Sequence, residues 1–330
     1  MLEAFMSETT IHSIHVLSNA DSSITKLCLK HGFEIRETPY EEAISLISAC
    51  ENRPFANVSN DLQMQGCFLR NIDDATGFFG DPSPLLLIKT SFTCDVPCAK
   101  ILLCDNPSSN NLQTHFSNVR EYLHPAISSL KLFVESDINI VAEYLFYYQN
   151  DEVELIRTCK PVYYLLSDPN ILVLNESQLM AAQNFIDEFS YPSNKSLQKA
   201  YGFFKQSYLT DNIDSAFVSI MICFEILFSP DDMKELANRI SRGVAILVGN
   251  NEEESTHIYS EMKSLYKFRS KLVHAGVSVN KPTLNIARKY ARESIKCLLN
   301  IEDRYRGDNF EVFKNELDKC GFIRKPWSAI

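Results

Sequence analysis

The sequence predicts an α+β protein: a mixed α/β domain over residues 1–190, an all-helical bundle over 191–305, and a C-terminal tail at 306–330. Three observations carry this reading. Short apolar runs bounded by Pro, Asp and Asn, namely "PLLLIKTSF" (84–92), "AKILLC" (99–104) and "VYYLLSDPNILVL" (162–174), have the length and flanks of strands. "EEAISLISAC" and "HFSNVREYLHPAISSLKLFVE" have helical spacing, the second interrupted by Pro125. From about residue 176 the apolar residues recur every three or four positions, as on the buried face of successive helices.

The helical part resolves in order. "SQLMAAQNFIDEF" ends the first domain, and the break at "SYPSN" places the boundary near residue 190. Five bundle helices follow: "KSLQKAYGFFKQSYL", "DSAFVSIMICFEILFS", "DMKELANRISRGVAILVG", "EEESTHIYSEMKSLYKFRSKLVHAG" and "KPTLNIARKYARESIKCLLN". Asp214 is placed to cap the second. Gly249 and Gly276 stand where helix-ending glycines adopt left-handed geometry, and Pro282 falls in the first turn of the last helix. There is no internal repeat and no low-complexity tract.

With 330 residues, 45% of them hydrophobic, the chain can fill two cores. The start, "MLEAFMSETT", lacks the basic and apolar regions of a secretory signal. The longest apolar run, "FVSIMICFEILF", carries Glu225 and is too short to span a bilayer. A soluble, cytoplasmic protein with no membrane partner is expected. Ten cysteines spread along so long a chain point to reduced thiols rather than a disulfide framework. Cys94, Cys98 and Cys104 lie close together but lack the paired short spacings of a zinc site, so no metal is expected. No phosphate-loop, dinucleotide or nucleophile-elbow motif is found, and no cofactor is expected.

The net charge of −10 taken alone argues against a nucleic-acid partner, but the charge is unevenly distributed. Residues 195–302 carry 15 basic against 12 acidic side chains, and 262–296 carry nine basic residues against Glu293 alone. Phosphate contacts come from clustered Lys and Arg whatever the global charge. Lys263, Lys267 and Lys271 are the candidate RNA-binding residues. Two solvated helix faces are the competing explanation.

One stretch of this basic segment carries chemistry. Steps of four and three along 252–276 give Ile258, Met262, Leu265, position 269 and Leu272, and position 269 is arginine. A guanidinium on a core stripe needs a carboxylate, a phosphate or a cleft. Glu225 is the nearest carboxylate by pattern, and a structural ion pair of Glu225 with Arg269 or Arg239 is the plain alternative. His274 falls in the last helical turn, where the negative dipole end favours imidazolium and hence proton donation near neutral pH. Residues five apart on a helix diverge by about 140°. Arg269 and His274 therefore converge only if the arginine reaches along the groove or the site is shared with a second copy. Arg120 and His124, four apart, are a chance pair of the same composition.

An apolar helix ending in "FEILF", another helix, then "LYKFRSKLVHAG" and a further helix resembles the HEPN superfamily, and within it the ApeA-like HEPN domains, over roughly residues 195–302. The family's R-x(4–6)-H motif maps onto Arg269 and His274, and its acidic position onto Glu225. The resemblance implies a metal-independent endoribonuclease, a hydrolase of antiviral defence or toxin systems that works as a homodimer with two motifs lining one cleft. It also implies tRNA or phage RNA as substrate and an antitoxin or phage-derived trigger as a partner. Ser270 stands where many members have Asn after the arginine, and is a further candidate in the site. RNA supplies its own nucleophile, the 2′-hydroxyl, so proton transfer by His274 and phosphate clamping by Arg269 suffice for cleavage. A HEPN module that binds RNA, a nucleotide or a protein without cleaving is the alternative, and so is a purely structural dimerisation domain. By analogy alone, residues 1–190 take a sensing or regulatory role.

Overall fold

The computed structural model describes residues 8–68, 81–95, 110–160, 169–229, 235–301 and 310–320. It divides into two compact units, residues 1–189 and 190–330. The chain is α+β, as expected.

The first unit is built on a five-stranded antiparallel sheet with the order β2-β3-β1-β4-β5. Its strands are β1 (Glu8–Ser18), β2 (Glu34–Thr38), β3 (Leu85–Asp95), β4 (Asn139–Gln149) and β5 (Glu152–Cys159). The β4–β5 hairpin closes through Asn150 and Asp151, both at positive φ, a turn whose twist matches that of the strands. Alternate side chains face opposite ways. Ile14, Val16, Leu85, Leu87 and Tyr144 pack under α1 (Tyr40–Glu51) and α2 (Phe55–Met64). Leu17, Ile88 and Ile140 pack on the other face with Leu123, Ile127 and Leu130, and with Ile186 of α5 (Glu176–Glu188).

The helical layer on that second face departs from expectation at Pro125. Instead of a break, α3 (Asn110–Asn118) runs through a π-helical turn, Val119–Leu123, into α4 (His124–Phe133). The wider π turn opens the hydrogen-bond ladder just ahead of the proline, where its missing N–H and its ring are tolerated. The strand expected at 162–174 is not found in its described part. Residues 161–168 lie outside the described residues, and the remainder contributes one bridge, Leu172 to Ala20. "AKILLC" and the side chains of Cys94, Cys98 and Cys104 also lie outside the described residues.

The second unit holds α6 (Lys195–Gln206), α7 (Ile213–Phe228), α8 (Leu236–Val248), α9 (Glu252–Ala275), α10 (Lys281–Asn300) and α11 (Phe310–Lys319). α7 is apolar nearly all round and buried accordingly, and α10 packs against α6, α7, α8 and α9. Asparagines cap α6, α7, α9 and α10: the side chains of Asn194, Asn212, Asn251 and Asn280 each accept a backbone N–H of the first turn.

Two local expectations are corrected. Asn212, two residues earlier, caps α7 in place of Asp214, whose carboxylate instead accepts the Val279 N–H at 2.7 Å and ties the α9–α10 loop to α7. Gly249 is extended rather than left-handed, with φ −65°. A Cβ there would lie 2.4 Å from Ser255 Oγ and 2.9 Å from the Ala245 carbonyl, so the glycine serves a close approach. The C-terminal tail contains α11, which packs on α8 with Phe313 and Leu317 buried, while the Arg242 guanidinium donates to the Cys320 carbonyl. Gly276 is left-handed at φ 62°, and Pro282 sits in the first turn of α10, both as expected.

Candidate active site and nucleic-acid interface

The site residues expected from the sequence sit on α9, from Lys263 to His274, except Glu225, which is on α7. The helix is anchored by Ser255, Ile258, Met262, Leu265 and Tyr266, which are buried. Beyond Tyr266 no residue of the helix is buried, so 267–275 forms an exposed or half-exposed end. The core stripe therefore stops one step before Arg269. This corrects the expectation of a buried arginine, because the guanidinium is 35% exposed.

Arg269 and Glu225 do meet. Arg269 Nη2 lies 3.0 Å from Glu225 Oε1, joining α9 to α7. The contact is ionic rather than a well-directed hydrogen bond, since Glu225 Oε1 meets no hydrogen-bond geometry. Tyr266, one turn before Arg269, was not foreseen from the sequence. Burial, and then the Glu225 charge, push its hydroxyl well above the ordinary phenol range, while Arg269 opposes this weakly. Tyr266 thus stays protonated beside the carboxylate and can donate toward it. The signal was present in "LYKFR": a tyrosine three residues before the arginine shares its helix face.

His274 is not brought to this pair. It is exposed in the last turn of α9, before Gly276, whose N–H donates to the Leu272 carbonyl at 3.2 Å. Counting rotation from Arg269, Ser270, Lys263, His274, Lys267 and Lys271 point about 100°, 120°, 140°, 160° and 200° away in that order from the first to the last. These five share one arc of the helix, opposite the side on which Arg269 meets Glu225. Ser270, Lys267, Lys271 and His274 are exposed on it, while Lys263 is half-buried with its ammonium 5.7 Å from the Tyr259 ring.

One chain thus offers two half-sites: a clamped guanidinium on one side of α9, and an exposed basic arc with an imidazole on the other. The arc can contact a polyanion, and it carries the exposed imidazole of His274. Among the described residues no helix is long and apolar enough to cross a membrane, and no group of His, Cys, Asp and Glu is arranged to hold a metal ion. No protein-family model, no curated protein and no solved structure matches this chain.

Proposed function

We propose that the C-terminal unit is a metal-independent endoribonuclease of HEPN type, acting on RNA in the cytoplasm as part of a toxin or anti-phage system. The observation that supports this reading best is the end of α9. Nine residues, 267–275, with none buried, present Lys267, Ser270, Lys271 and His274 over about the last two and a half turns of the helix. Two copies meeting along this exposed end would set the Arg269 of one opposite the His274 of the other, which removes the divergence of about 140° within one chain. The exposed Phe268, Val273 and Val277 on the same end supply apolar surface for that contact.

In the proposed reaction the 2′-hydroxyl attacks the adjacent phosphorus and the P–O5′ bond breaks, His274 moves the proton from the 2′-oxygen to the leaving 5′-oxygen, and Arg269 holds the non-bridging oxygens of the charged phosphorane. Glu225 and Tyr266 position Arg269 until phosphate competes for it. Cellular RNA, tRNA included, incubated with the purified protein in EDTA is expected to be cut, leaving 2′,3′-cyclic phosphate ends. Strict dependence on a divalent metal, or intact RNA across a whole cellular extract, contradicts the proposal. Lys267→Ala with Lys271→Ala is expected to weaken RNA binding and to flatten its log–log salt dependence by roughly 1.4, about 0.7 per phosphate contact on a single strand.

A second reading is favoured by the Glu225–Arg269 pair itself. An arginine already neutralised at 3.0 Å suits a module that binds RNA or a nucleotide, or simply dimerises, without cleaving. On that reading, replacing His274 changes neither RNA turnover nor toxicity.

A further inference from the structure

The first unit contains a cavity of about 350 Å³ between the sheet and the α3–α4 helical layer. Its lining interrupts an otherwise apolar helix–sheet interface with three histidines, a glutamate and two arginines. Of these, His15 and His115 are buried and Glu143 is 19% exposed, and such groups are costly to bury and rarely kept so without a use. The size is that of a small-molecule site.

The groups are graded by depth. At the inner end, Glu143 of β4 accepts from His124 Nε2 at 2.7 Å and stands 3.7 Å from His15 Nδ1. His15, on the neighbouring strand β1 and 1% exposed, shares its Nε2 with Ser13 Oγ at 3.0 Å, and its Nδ1 is in no hydrogen bond. His115 leans on His15, ring to ring at 6.4 Å, and burial keeps both imidazoles neutral. The inner end therefore holds one carboxylate with spare acceptor capacity beside neutral rings. At the outer end stand two guanidinium groups: Arg120 from the π turn, 77% exposed and paired at 2.8 Å with the likewise solvated Glu121 carboxylate, which a phosphate would have to displace, and Arg157 from β5, lying over the Phe116 ring at 4.9 Å. The walls between are the apolar side chains of Phe116, Val119 and Leu145.

The ligand that fits has a hydrogen-bond-donating head, a flat apolar body and an anionic tail. We propose that this cavity binds a nucleoside monophosphate, with the base inward against Glu143 and the phosphate outward at Arg120 and Arg157. Adenine, cytosine and guanine each carry an exocyclic amino group for the carboxylate. Uracil presents two carbonyls on its edge and is disfavoured there. An amino acid shares the charge pattern but leaves most of the volume empty, and inorganic phosphate reaches only the two arginines.

Isothermal titration of the full chain with AMP, CMP, GMP, UMP, inorganic phosphate and a set of free amino acids tests this. At least one amino-bearing monophosphate is expected to bind with submillimolar Kd, tenfold or more tighter than UMP. Inorganic phosphate and the amino acids should give no heat at the same concentrations. Arg157→Gln and Arg120→Gln, both at exposed positions where the fold is not at stake, should each weaken binding by about tenfold. Glu143→Gln should erase the preference over UMP. Lys267→Ala with Lys271→Ala should leave the Kd unchanged, which separates this site from the basic arc of α9. Absence of binding by all four monophosphates, equal affinity for UMP, or an unchanged Kd in both arginine variants would overturn the assignment.

Discussion

His274→Ala is expected to lower RNA cleavage by roughly two to four orders of magnitude, the range that removing a general acid–base group costs, while the circular dichroism spectrum and thermal midpoint stay at wild-type values. The second half follows from exposure: the imidazole lies past the last buried residue of α9 and contributes nothing to the core. Arg269→Ala should cost cleavage about 10²–10³-fold through lost stabilisation of the phosphorane. It should also destabilise the bundle by about 1 kcal/mol, because Glu225, 23% exposed, is left without its partner but keeps some water. The two variants therefore separate chemistry from fold. Toxicity on expression in bacteria gives a cellular version of the same comparison: at equal protein level, growth arrest by the wild type should vanish with His274→Ala. Equal toxicity in both proteins favours the non-cleaving module.

Acidification should unfold the first unit well before the second. His15 and His115 are held down to about 3 and about 4, both chiefly by burial, with Glu143 pulling the other way. In the unfolded chain a histidine titrates near 6.5. Between these values the unfolded state takes up protons that the folded state refuses, so stability falls as pH falls, by about 1.4 kcal/mol per pH unit for each histidine. At pH 4.5 the two together remove roughly 5 kcal/mol, comparable to the whole stability of many domains. Glu143 works in the same sense. Burial raises its carboxyl, but the His124 hydrogen bond, followed by nearby positive charge, outweighs this and holds it low. The stability this confers is present above its unfolded value and is lost as pH falls through the folded one. Urea titrations followed by hydrogen exchange should show the sheet amides losing protection between pH 6.5 and 4.5, and His15→Leu should remove close to half of that slope. A flat profile over this range contradicts the burial of neutral imidazoles.

Much of the second unit was legible because helix periodicity and end signals are local. Gly276 and Pro282 mark real ends, and the four-and-three stripe through Ile258, Met262 and Leu265 led directly to the Glu225–Arg269 contact. Local signals failed where a neighbour decided. Gly249 stands where Ser255 approaches too closely for a side chain, and Asp214 is recruited by the Val279 amide rather than by its own helix. Pro125 read as a break because a π turn leaves no sequence signature distinct from an α turn.

The cavity of the first unit was invisible for a stronger reason. His15, His115, His124 and Glu143 come from two strands and the helical layer between them in sequence, and are joined only by the β1–β4 register and the path of α3–α4. The spacing of Arg120 and His124 is what composition alone produces, and it says nothing of the carboxylate that the sheet places beside His124. At the α9 site, conversely, the residues were legible and their divergence was too. What a single chain does not contain is the second copy that the proposed chemistry requires.

The most direct measurement mixes two inactive proteins. Arg269→Ala and His274→Ala, each purified and each unable to cut RNA, are combined, exchanged to equilibrium and assayed in EDTA. If the arginine of one copy works with the histidine of the other, half of the dimers are mixed and each holds one intact site of two, so about a quarter of wild-type activity should return. Activity that stays at the level of the separate variants, with dimer exchange verified, contradicts the shared site and with it the proposed ribonuclease mechanism.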